Sequence, residues 1–166
     1  MRFIVARHCE TDWNREWRLQ GHTDTNLNEQ GWLQAEELAR KLEDSGLKKI
    51  ISSDLKRARE TSSIIARHLN IPAFFDARLR ECNFGKLEGQ KREEVLKIYD
   101  WHGPFEDYDF AEFGGENRER VLRRHLSLLN DLYAAAEDEP ILLVGHVTGV
   151  DTLLFYLGNT NLSRGE

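Results

Sequence analysis

The chain has 166 residues, 40% of them hydrophobic and 31% charged, enough to bury one sizeable core and too few for two, so residues 1–166 read as a single domain. A formal net charge of −6, with no basic run to offset it, excludes nucleic acid and an anionic membrane surface as partners on this reading. The opening apolar stretch from Phe3 to Ala6 is cut by Arg7 and is too short for a signal or membrane-spanning segment, which points to a cytoplasmic protein. Two cysteines without a CxxC pattern fit a reducing compartment, and six histidines without HxH or HExxH spacing point to neither a metal nor another cofactor.

In chain order, Phe3 to Ala6 reads as a buried strand. A helix capped by Asn28 follows, with Trp32, Leu33, Ala35, Leu38, Ala39 and Leu42 at helical spacing, and Ser45-Gly46 ends it. A second strand is predicted at Lys49 to Ser53, a helix from about Asp54 to His68, and a third strand at Ala73 to Phe75 after Pro72. From Asp76 to Gly89 there is no periodicity. Helices are predicted at Glu93 to Tyr99 and Arg118 to Ala136, separated by a lid or wall loop around Trp101 to Gly115. Ile141 to Val144 is the cleanest strand, an unbroken apolar run of the kind that lies centrally in a covered sheet, and Val150 to Leu157 is an apolar helix. The alternation predicts an α/β fold, a three-layer αβα domain with a mainly parallel central sheet. In such sheets ligands sit beyond the carboxyl ends of the strands, where His8 and His146 fall.

Local chemistry alone leaves each candidate ambiguous. His8 sits in a polar loop after a strand and Arg7, whose guanidinium suits phosphate oxygens but equally an ion pair with Glu10. Arg57 lies at a helix start, where a cation runs against the macrodipole and asks for an anion, whether a bound one or the carboxylates of Asp54 and Glu60. Glu81, in a segment with glycine and aromatic neighbours, is suited to general acid chemistry if desolvated, or is an ordinary partner of Arg78 or Arg80. Lys48-Lys49 and Arg123-Arg124 read as solvated basic pairs without a functional role.

Taken in order, these segments resemble a known family. Arg7-His8-Cys9-Glu10-Thr11-Asp12-Trp13-Asn14 is similar to the Arg-His-Gly-Glu-Thr-x-x-Asn signature of the histidine phosphatase superfamily, in its phosphoglycerate mutase-like branch. Arg18-Leu19-Gln20-Gly21 with Asp24 and Leu27, Ser53-Asp54-Leu55 with Arg57, Ala58 and Thr61, Leu79-Arg80-Glu81 with Phe84-Gly85 and Leu87-Glu88-Gly89, and Leu142-Leu143-Val144-Gly145-His146 continue the match to about residue 157. The resemblance implies His8 as nucleophile, Glu81 as proton donor, and Arg7, Arg57 and His146 as holders of the phosphoryl oxygens. It places Asn14 against the phosphate and Gln20 near the substrate entrance, and gives Gly114-Gly115-Glu116-Asn117 a structural or pocket-wall role. The implied activity is metal-independent hydrolysis of a small phosphate monoester through a phosphohistidine. A phosphoglycerate mutase and a catalytically weak phosphate-binding module are the alternatives. The oligomeric state is open, a homodimer included.

Three departures from the family pattern stand out. Cys9 replaces a usual glycine directly after the nucleophile, which is expected to shift the His8 ring or narrow the pocket. Asp151 stands where relatives carry an arginine, which disfavours a second acidic group on the substrate. Many relatives continue past Ser163-Arg164-Gly165-Glu166 into another strand, so either a smaller sheet or a sheet edge in need of cover is expected. Cys9 and Cys82 each neighbour a proposed site residue, but neighbouring side chains can point to opposite sides, so a regulatory disulfide between them is not expected.

Overall fold

The computed structural model describes residues 2–99, 108–135, 139–156 and 158. Its four strands, β1 (Phe3–Arg7), β2 (Lys49–Ser52), β3 (Ala73–Phe75) and β4 (Ile141–Gly145), form one parallel sheet in the order β1-β4-β2-β3. The helices are α1 (Asp12–Arg15), α2 (Glu29–Lys41), α3 (Lys56–Leu69), α4 (Arg92–Val95), α5 (Arg118–Ala134) and α6 (Val147–Tyr156).

β4 is buried at all five residues, as its unbroken apolar run predicts, and its side chains alternate between two cores. Leu142 and Val144 meet Ala39, Ala58 and Ile65 from α2 and α3, while Ile141 and Leu143 meet Leu128 of α5. Helices therefore cover both faces, giving the expected three layers. A further cluster, containing Cys82, Phe84, Tyr108, Phe110 and Val121, packs around the segment that carries Glu81.

Several element expectations need correction. β1 is an edge strand with Val5 38% exposed, because β4 inserts between it and β2. α2 buries the narrow stripe Gly31, Ala35 and Ala39, leaving Trp32 and Leu33 exposed beside it. The predicted helix at Glu93 to Tyr99 is one α-helical turn, Arg92–Val95, with Val95 buried and Ile98 61% exposed. α6 starts at Val147, three residues earlier than expected, directly after His146. Residues 101–107 of the loop proposed as a lid or wall, Ala136 and Leu157 of the predicted helices, and the terminal residues 163–166 lie outside the described residues. The described remainder of that loop is anchored in the core at Tyr108, Phe110 and Gly115, with Asp109, Ala111, Glu112 and Gly114 exposed between them, and Tyr108 Oη lies 3.2 Å from Thr152 Oγ1.

Candidate active site

The parallel ladder brings the two histidines together. Arg7 pairs with Gly145 across β1 and β4, and His8 N–H donates to Gly145 O at 3.0 Å. His8 and His146 each follow their strand by one residue, and their ring centroids lie 5.1 Å apart. On the other side of β4, Ser53 follows β2 in the same way, donates its N–H to Val144 O at 2.9 Å and places Oγ 2.8 Å from His146 Nε2.

Both rings are buried, and desolvation, followed by the nearby charge of Arg57, holds both pKa values well below 6.5, so each is neutral at pH 7. His8 Nδ1 lies 2.7 Å from Cys9 O. A carbonyl only accepts, so Nδ1 carries the proton and Nε2 keeps its lone pair. Cys9 stands where the family pattern has glycine. Its φ is not positive, its N–H donates to Thr61 Oγ1 at 3.0 Å, and its side chain joins a buried cluster with Leu27, Ala35 and Ile64. Close packing continues beside it: a Cβ on Gly31 of α2 would lie 2.1 Å from Glu10 O, so only glycine lets the helix approach the loop after His8. Cys82 belongs to a different cluster, and both thiols are free. Adjacency to site residues along the chain thus does not bring the two sulfurs together.

Arg57, the second residue of α3, is fully buried. Its Nη1 donates to Thr23 O at 2.9 Å and its Nη2 to Gly21 O at 2.8 Å, and burial lowers its pKa to about 10. Two buried polar atoms lack a hydrogen-bond partner among the described residues, Arg57 Nε and His146 Nδ1. The carboxylates that sequence offered to Arg57 are engaged elsewhere: Asp54 pairs with Arg80, and Glu60 accepts from Leu27 N–H at 2.7 Å. Arg7 is exposed and makes no ion pair among the described residues; Glu10, its sequence candidate, instead accepts from Asn28 Nδ2 at 2.9 Å. Its charge reaches His8 and contributes to the lowered pKa.

Glu81 is buried, with Cys82 N–H on its Oε1 at 2.8 Å and Thr148 N–H, in the first turn of α6, 3.5 Å from its Oε2. The competing partners are taken, since Arg78 pairs with Asp76 and Asp131, and Arg80 with Asp54. Thr11 caps α1, and Asn14 completes the capping box by accepting from Thr11 N–H at 3.0 Å, which leaves its Nδ2 unbonded among the described residues. Gln20 is buried, 6% exposed, with Oε1 3.0 Å from Thr11 Oγ1. Asp151 is buried in α6.

Sequence reasoning missed Arg124. On α5, it donates from Nη1 to Arg78 O and Arg80 O, at 2.8 and 2.6 Å, and from Nη2 to Glu81 O at 2.8 Å. It pairs with Glu116, which also accepts from Asn83 N–H at 3.0 Å. The sole signal was its neighbour Glu116 in the Gly-Gly-Glu-Asn segment. Among the described residues no group of three His, Cys, Asp or Glu is arranged to hold a metal ion, and no helix is long and apolar enough to cross a membrane.

Fold and site together define an α/β protein with two neutral buried histidines and a buried arginine gathered at the carboxyl ends of its strands. The family model of the histidine phosphatase superfamily (branch 1) matches residues 3–166, and the chain belongs to that superfamily. A broad-specificity phosphatase of Saccharomyces cerevisiae is 32% identical over 169 residues, covering 97% of this chain and 72% of that protein. A probable phosphoglycerate mutase of Escherichia coli is 44% identical over 97 residues, covering 58% of this chain and 45% of that protein. A mycobacterial glucosyl-3-phosphoglycerate phosphatase solved with VO3 is similar with a TM-score of 0.82 at 33% identity, covering 92% of this chain and 79% of that one.

Proposed function

We propose that the protein hydrolyses small organic phosphate monoesters by passing the phosphoryl group through His8 to water, without a metal. The observation that carries this reading is the His8 ring: neutral, with Nδ1–H held on Cys9 O and the lone pair of Nε2 left without a partner among the described residues. Such a nitrogen attacks phosphorus in line with the departing oxygen. The equatorial oxygens take Arg7, the unpartnered Arg57 Nε and His146 Nδ1, with Asn14 Nδ2 as a further donor. With Ser53 O–H donating to His146 Nε2, Nδ1 of that neutral ring carries the proton an oxyanion accepts. Gln20 lines the pocket wall through Thr11. Glu81 protonates the leaving alkoxide, then takes the proton of the water that cleaves phospho-His8.

Release of inorganic phosphate from p-nitrophenyl phosphate and from a panel of alkyl esters, in chelator, tests the reading. His8→Ala is expected to lower the rate by at least about 10³-fold. Rapid quenching of the parent is expected to trap an acid-labile, base-stable phosphoenzyme. Unchanged turnover in His8→Ala overturns the reading. Similarity over 97 residues to a probable phosphoglycerate mutase favours phosphoryl transfer to a second alcohol as the other reading. Phosphate moving between positions of phosphoglycerate, rather than to water, would establish it. Vanadate binding without any turnover would instead mark a binding module.

A further inference from the structure

The Glu81 carboxyl is oriented through its own peptide group. Cys82 N–H donates to Glu81 Oε1, while the carbonyl on the same peptide plane takes Arg124 Nη2 at 2.8 Å and His22 Nε2 at 2.9 Å. A carbonyl has two lone pairs and donates nothing, so it is saturated and His22 carries its proton on Nε2. Because the peptide is planar, holding that oxygen also aims the N–H that grips the carboxyl. Oε2 is left as the oxygen that exchanges the proton.

The residues flanking His22 serve the other side of the pocket. Gly21 O and Thr23 O are the two carbonyls that hold Arg57. Glu88 ties the turn down by accepting from His22 N–H and Thr23 N–H, both at 2.9 Å, and from Phe84 N–H at 3.2 Å. Gly21 has φ +52°, and a Cβ there would lie 2.1 Å from Glu88 Oε1, so glycine is required for this close approach. One three-residue turn thus contacts both the cation that serves the phosphate and the peptide that carries the acid.

We propose that His22 is a positioning residue for proton transfer by Glu81, and that the turn from Gly21 to Thr23 sets the spacing between that acid and Arg57. The role of His22 rests on the phosphatase reading of His8. Its ring is 27% exposed, so substitution there does not open the core.

The test compares kcat/KM on two esters, since this parameter covers leaving-group departure. An alkyl ester such as β-glycerophosphate needs the acid, whereas p-nitrophenolate leaves with little help. In His22→Ala, and in His22→Phe, which keeps the ring volume without the donor, the alkyl rate is expected to fall about tenfold relative to the nitrophenyl rate. His22→Gln, which restores an N–H donor, is expected to bring that ratio back to within about twofold of the parent. An equal fall on both esters in His22→Ala and His22→Phe, or a glutamine variant that behaves as the alanine one does, overturns the proposal. A parent that hydrolyses neither ester overturns the His8 reading together with it. A parent that hydrolyses both, with a ratio unmoved by substitution, removes only the role of His22.

Discussion

His8, Ser53 and His146 each stand one residue beyond β1, β2 and β4, three adjacent strands, so ladder hydrogen bonds place them. Glu81 stands on a segment that belongs to no strand or α-helix, between Leu79 and Gly85, and is held by side chains from distant parts of the chain. The histidine side of the site is thus a product of the sheet, and the Glu81 side a product of charged and polar clamps. The teaching is one of sensitivity: a ladder tolerates the loss of a side chain, whereas a clamp fails with its arginine or glutamate.

The largest expected effect separates the two sides chemically. Glu81→Gln keeps the carbonyl that accepts from Cys82 N–H but removes the exchangeable proton, so hydrolysis of alkyl esters is expected to fall about 10² to 10⁴-fold. Quenched samples with p-nitrophenyl phosphate should show phosphoenzyme accumulating, because water attack also loses its base. A comparable collapse in binding of inorganic phosphate or vanadate would mean that the two sides are not separable.

Arg124→Met breaks the clamp physically. It leaves Glu116, with its side chain 13% exposed, without its cation, and removes three donors from the carbonyls of Arg78, Arg80 and Glu81. A loss of about 3 kcal/mol is expected, a fall in Tm of roughly 6–12 °C in a domain of this size. A scanning calorimetry shift below about 2 °C would show that the acid segment is held by its apolar cluster instead.

The smallest effect of a single group is the contribution of His125 to the pH dependence of stability. His125 is buried on α5, with Nδ1 2.8 Å from Val121 O, and its pKa is lowered to about 4 by desolvation first and the charge of Arg124 second. Because the unfolded chain protonates near 6.5, stability is full above that value and declines as pH falls toward 4, by about 2 kcal/mol at pH 5 from this group alone. His8 and His146 act in the same direction. The shifted carboxylates Asp54, Asp76 and Glu116 lose their contributions only at lower pH, since their ordinary values, 3.8 to 4.5, are themselves lowered. Urea midpoints that stay flat between pH 7 and 5 would show that the buried rings gain water or partners on protonation.

The same contrast separates what was legible before the fold was known. β4 was readable as a central strand because five consecutive buried residues leave an unbroken apolar run, and Asn28 as a cap because its side chain accepts from Gly31 N–H three residues on. Arg124 was not readable: it sits in a helix with arginines at 118, 120 and 123 as well, and nothing local distinguishes the one that turns inward. β1 was misjudged as buried because an edge strand facing two cores has the composition of a central one.

By itself the sequence determined the strand and helix alternation and the motif residues, since apolar periodicity, caps and turn glycines act within a few neighbours along the chain. Tertiary structure alone decided that Cys9 turns into the core, that Gln20 is buried, and that Arg124 and His22, 43 and 59 residues away in the chain, share one carbonyl with each other at Glu81. Such choices belong to long-range hydrogen bonds and charge pairs. Their partners are chemically interchangeable along the chain until folding brings particular ones together and removes water from around them.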